Sequence, residues 1–73
     1  MRRANDIKDD ELRDFAEWFL QRFGKRETRR VWFETSLEGT MHCPHRDIKG
    51  LLRRMSQLSL IEVKKDCVEL LKL

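Results

Sequence analysis

A chain of 73 residues, 40% apolar and 40% charged, has greasy positions for one small core and no second one, so a single domain of modest stability is expected. No apolar run approaches the roughly 20 residues of a membrane-spanning helix. The opening Met-Arg-Arg-Ala-Asn-Asp lacks the apolar stretch of an export signal, and two cysteines outside any C-x-x-C pattern argue for reduced thiols. A cytoplasmic protein with no membrane partner is the expectation. Net charge is only +3, but residues 24–35 and 36–58 each hold four basic and two acidic side chains. The excess therefore sits mid-chain, as a patch for an anionic partner would require.

Residues 1–6 read as a flexible tail with Arg2 and Arg3 free, and residues 7–73 as the domain. A first helix starts near Asp6 or Asp9 and ends at Gly24. Asp9, Asp10 and Glu11 place negative charge at its positive end, and glycine suits the left-handed residue after a helix. Leu12, Phe15, Ala16, Phe19 and Phe23 form its buried stripe. Trp18 and Leu20 flank that stripe, and Trp18 is a candidate dimer interface as well as a core-margin residue. Residues 25–30 make a basic connector. Val31-Trp32-Phe33, β-branched and aromatic, predicts a short strand with Val31 and Phe33 on one face. Residues 35–43 (TSLEGTMHC) predict irregular chain, with at most one helical turn from Ser36 that Gly39 ends, anchored by Leu37 and Met41.

The clearest helix spans residues 44–58. Ile48, Leu51, Leu52, Met55 and Leu58 recur at i, i+3, i+4, i+7 and i+10, and Arg46, Lys49, Gly50, Arg53 and Gln57 fill the opposite sector. Pro44 suits the first helical position, which leaves Cys43 as a weak N-cap. Residues 59–73 predict a hairpin, with arms at 60–63 and 67–73 around a turn at 64–66. The expected core is Leu12, Phe15, Phe19, Phe23, Val31, Phe33, Ile48, Leu52, Met55, Leu60 and Val63.

The run from Leu51 to Val63, LLRRMSQLSLIEV, resembles the end of winged-helix recognition helices, where a leucine-rich last turn passes tightly into Leu-Ile-Glu-Val. The resemblance implies an α+β winged-helix domain. Its parts are a long first helix, a short strand, a degenerate second helix, a basic recognition-type helix and a C-terminal hairpin wing. It also implies a small transcriptional regulator contacting duplex DNA. Two departures stand out: TSLEGTMHC makes a poor second helix, and the wing is short. The layout is also similar to small winged-helix proteins of the dissimilatory sulfite reductase D type. That likeness implies an alternative, in which the same basic face docks an acidic surface of a larger enzyme, as an accessory subunit of a dissimilatory sulfite reductase would.

If residues 44–58 enter a major groove, Arg46, Lys49, Arg53 and Gln57 face the bases. Arginine pairs with guanine and glutamine with adenine by two hydrogen bonds each. Gly50 would let the backbone approach closely. Lys64, Lys65, Arg29 and Arg30 would meet phosphates, and Arg54 points sideways, toward a phosphate or an internal carboxylate. The bland alternative is a solvated face that binds nothing. A monomer covers one half-site, so a homodimer is expected. Met41-His42-Cys43-Pro44-His45 clusters soft ligands, with Cys67 elsewhere, but the spacing fits no ordinary zinc site. His42 and His45 are read as surface residues and Cys67 as packed in the hairpin, with no metal and no cofactor. The carboxylates of the first helix need only solvent and the dipole. A Cys43–histidine couple could activate a thiolate, but so small a chain leaves little room for a pocket, and no enzyme is expected.

Overall fold

In the computed structural model, which describes residues 1–71, the first helix is α1 (Asp9–Phe23). Its three leading carboxylates lie at the positive end of the helix dipole, and Glu11 accepts the Lys8 N–H at 3.0 Å. Gly24 ends it in the left-handed region at φ 66°, donating its N–H to the Leu20 carbonyl at 2.8 Å. Then follow β1 (Glu27–Arg29), α2 (Arg30–Met41), α3 (His45–Gln57), β2 (Ile61–Val63) and β3 (Cys67–Leu70). A single 3-10 turn, Ala4–Asp6, precedes α1. The three strands form one antiparallel sheet in the order β1-β3-β2. Val68 and Leu70 point into the core, and Cys67 and Glu69 alternate with them on the outer face. The architecture is α+β, three helices and a three-stranded sheet.

The largest correction concerns residues 27–41. Val31-Trp32-Phe33 is not a strand but the first turn of α2, and the strand lies just before it in Glu27-Thr28-Arg29. Strand preference is weak and yields to burial. Phe33, Leu37 and Met41, spaced i, i+4, i+8, are all buried along one side of α2, while Thr35 and Gly39 between them, which a strand would put on the same face, are exposed. The second helix is therefore not degenerate: it runs 12 residues, passes through Gly39 and ends at His42, φ 55°. Two residues leave the expected core. Val31 is 69% exposed and Phe23 is 44% exposed, because α2 turns Val31 outward and Phe23 occupies the last turn of α1. Ile7, Ala16, Leu37, Met41, Cys43, Leu51, Ile61, Val68 and Leu70 are buried with the remainder, and Val63 is half-buried. Phe33 joins α2 to the aromatic cluster of α1, edge-on to Phe15 at 5.4 Å and to Phe19 at 5.1 Å between ring centres.

The segment expected as a flexible tail makes specific contacts. The Arg2 N–H donates to the His42 carbonyl at 2.9 Å, and its guanidinium meets both Glu11 oxygens at 2.7 Å. Arg3 and the Ala4 N–H both donate to Asp47, each at 2.9 Å. Those contacts hold the Asp47 carboxyl below its usual range, Arg3 first and then Ala4, and Arg2 and the Lys8 N–H do the same for Glu11. Arg54 closes the arrangement from α3. It donates to the Ala4 carbonyl at 3.0 Å, the Ile7 carbonyl at 2.7 Å and the Asp9 carboxylate at 2.7 Å. Its partners are internal.

The passage from α3 into β2 needs no loop because the helix ends in a Schellman motif. Ser59 sits left-handed at φ 60°. The Leu60 N–H reaches back to the Met55 carbonyl at 2.9 Å and the Ser59 N–H to Ser56 at 3.0 Å. Buried Leu60 and Met55 supply the apolar contact that accompanies this cap. At the other end Pro44 is the N-cap and His45 the first helical residue, one position later than expected. Cys43 is buried, and burial pushes its thiol up first of all causes. The hairpin closes with the Lys64 N–H on the Cys67 carbonyl at 2.8 Å and pairs Val63 with Val68 and Ile61 with Leu70. Lys72 and Leu73, expected to finish its second arm, lie outside the described residues.

Candidate nucleic-acid interface

α3 sinks Ile48, Leu51, Leu52 and Met55, and this burial fixes what its other side must show. Arg46, Lys49, Arg53 and Gln57 are all exposed. Among the described residues, Arg46, Lys49 and Arg53 have no ion-pair partner. Arg2, Arg3 and Arg54 are engaged internally, and Arg30 pairs with Glu34 at 3.0 Å. Several other surface cations, Arg29 and Lys65 among them, are also unpaired among the described residues. What sets Arg46, Lys49 and Arg53 apart is their place on one side of a single helix.

Two shallow hollows run along this side. One, about 500 Å³, lies between the start of α2, the first half of α3 and the hairpin turn, bounded by Arg30, His45, Lys49 and Lys65, with Glu34 and Asp66 also on its wall. The other, about 270 Å³, continues along the second half of α3 to β2, bounded by Lys49, Arg53, Ser56, Gln57 and Val63. The fold thus brings Lys49, Arg53 and Gln57 onto one surface with Lys65 of the turn and the half-buried Arg30. His45 and Ser56 share it, residues that only their helical position could have indicated.

Two expected members do not belong. Lys64 is held across the sheet by Glu69 at 3.0 Å and Glu27 at 3.3 Å, which raises its ammonium pKa, Glu69 foremost. The register explains this: Glu27, Glu69 and Glu62 stand side by side across the three strands, and Lys64 offsets that row. Arg29 lies in β1 and lines a different groove, with Phe23 and Trp32. Trp18, the expected dimer contact, is 47% exposed on α1 beside Phe15 and Phe23.

His42 is exposed, and His45 Nδ1 lies 3.0 Å from Glu38. Cys67 is half-buried on the outer sheet face rather than packed inward. No group of three His, Cys, Asp or Glu among the described residues is placed to hold a metal ion. No described helix is long and apolar enough to cross a membrane. Comparison with protein families, curated proteins and solved structures returned no match to this chain.

Proposed function

We propose that this chain is a small winged-helix domain that binds duplex DNA through the outward side of α3 and acts in transcriptional regulation. Its support is the order helix, strand, helix, helix, hairpin, with β3 between β1 and β2, and a second helix fully formed. The observation that carries the reading is the placement of charge. Arg46, Lys49 and Arg53, exposed and without an ion-pair partner among the described residues, form a row along one side of α3, and Lys65 shares a hollow with Lys49. A 13-residue helix is about 20 Å long and 10–12 Å across with side chains, and B-DNA's major groove is about 12 Å wide. In that pose Arg46 and Arg53 reach base edges, Gln57 suits an adenine, and Lys49 and Lys65 meet phosphates.

Gly50 adds a second line of support. A Cβ built there meets nothing within 4 Å, so no packing inside the chain demands glycine. Yet glycine in a helix interior costs about 0.8–1 kcal/mol against alanine. An approaching partner backbone is a reason to keep it. Gly50→Ala is expected to raise the unfolding free energy by about 0.5–1 kcal/mol in chemical denaturation while weakening duplex binding. A variant that is both more stable and equally tight would remove this support.

The main test is a salt titration of binding to arbitrary duplex DNA. The affinity should fall linearly on a log–log plot, and Lys49→Gln should reduce the slope by about one. Absence of binding at low salt would sink the DNA reading. The alternative expected from the sequence, docking on an acidic surface of a larger enzyme, would then take its place.

A further inference from the structure

We infer that the open edge of β1 is a self-association surface, on which a second copy of this chain pairs its own β1 antiparallel about a two-fold axis at Thr28. The register determines which groups are offered. Leu70 donates to the Arg26 carbonyl and Arg30 to the Asp66 carbonyl. With Thr28 opposite Val68, residues 26, 28 and 30 are the ones whose main chain bonds to β3. Antiparallel pairs alternate, so the main-chain N–H and C=O of Glu27 and the N–H of Arg29 point away from β3, toward the open edge. Such an edge is a template for another strand.

Three features select a second copy as the occupant. The first is charge. Antiparallel pairing about Thr28 sets Glu27 of each copy opposite Arg29 of the other, two opposite-charge pairs from a three-residue strand, and opposite charges facing across strands are favourable. Glu27 also accepts from Lys64 at 3.3 Å, and its second carboxylate oxygen is left for the arginine of the other copy. The second is hydrogen bonding: each Arg29 N–H would donate to the other copy's Glu27 carbonyl. The third is apolar surface. A groove of about 600 Å³ runs beside this edge, walled by Phe19, Phe23 and Trp32. Phe23 is 44% exposed and Trp32 is 63% exposed. A two-fold axis brings these rings from both copies to the same seam, and an interface of this kind is isologous, closing at two copies. Aromatic anchors of this sort dominate interface energetics. The surface lies apart from Arg46, Lys49 and Arg53, so the pairing neither requires DNA nor occludes α3.

Sedimentation of the full chain across micromolar concentrations, without DNA, tests this. The wild type should show a monomer–dimer equilibrium. Arg29→Glu should raise the dimer dissociation constant by at least about tenfold by setting like charges opposite each other. The double exchange Glu27→Arg with Arg29→Glu should restore it, because the pair is merely reversed. Arg29→Pro should weaken the dimer by about tenfold through loss of two reciprocal hydrogen bonds. Arg29 already has φ −63°, which proline accepts. Should Arg29→Pro fail to fold by circular dichroism, Arg29→Glu and its rescue decide alone. A wild type that stays monomeric overturns the inference, as does a double exchange that fails to rescue. Dissociation by Trp18→Ala while Arg29→Pro still dimerises would overturn it too, moving the contact to α1.

Discussion

Phe33→Ala should lower the unfolding free energy by about 3–5 kcal/mol, whereas Val31→Ala should stay within about 0.5 kcal/mol of wild type. The contrast follows from where α2 places two residues that a strand would put on one face. Phe33 is fully buried at 0% exposure, touching both Phe15 and Phe19 edge-on, so its removal leaves a cavity lined by two rings that cannot collapse without moving α1. Val31 contributes little to the core. A domain of this length has a total stability of about 4–11 kcal/mol, so Phe33→Ala should lose from about a quarter to all of it and shift the unfolding midpoint far below that of the wild type. Urea denaturation of the two variants checks the pair. Comparable losses for both would show that residues 31–33 form a strand after all, and would remove α2 as described.

On the proposed DNA reading, replacing Arg46, Lys49 and Arg53 together by glutamine should weaken duplex binding at least about a hundredfold near 0.1 M salt, since the Lys49 phosphate contact is worth about tenfold there through counterion release and each arginine–base contact about 1–3 kcal/mol. All three side chains are exposed and unpaired among the described residues, so the melting curve should be unchanged to within about 0.5 kcal/mol. Lys64→Gln is the informative control. The sequence lists it among the DNA contacts as readily as Lys65, but Glu69 and Glu27 hold it, and its loss should alter affinity by less than about threefold, the range expected when no phosphate contact is removed. Fluorescence anisotropy with a short duplex measures both. Equal losses for Lys64→Gln and Lys49→Gln would mean that Lys64 meets DNA as closely as Lys49 does, and that Glu69 and Glu27 do not withhold it.

Much of the α3 region was legible from local pattern. Apolar residues at helical spacing put Ile48, Leu51, Leu52 and Met55 inside and, by the same rotation, Arg46, Lys49, Arg53 and Gln57 outside. The presence of the hairpin after it was legible as well, but not its inward face, because Leu60-Ile61 and Leu70-Leu71 break the alternation: Ile61 is buried where Val63 was expected, and Val63 is half-buried. The middle of the chain misled because its signals conflict locally. Val31-Trp32-Phe33 has strand composition, and TSLEGTM has poor helix composition. The i, i+4, i+8 row of Phe33, Leu37 and Met41 outweighs both, but it spans the boundary between the two stretches. A window that treats them separately does not see it.

The chain's own pattern determined that there is one small core, that a basic amphipathic helix runs directly into a β-hairpin, and which side of that helix is cationic. These follow from periodicity, a property of neighbours along the chain. Only the tertiary structure decided which cations are available. Arg54 is taken up by Ala4, Ile7 and Asp9, Arg3 by Asp47, and Lys64 by Glu69, partners up to 50 residues distant. The edge of β1 was likewise invisible, because a strand's open side depends on which neighbour it lacks. Charge pairing and strand order are relations across space, and a linear pattern of residues carries neither until the chain has folded back on itself.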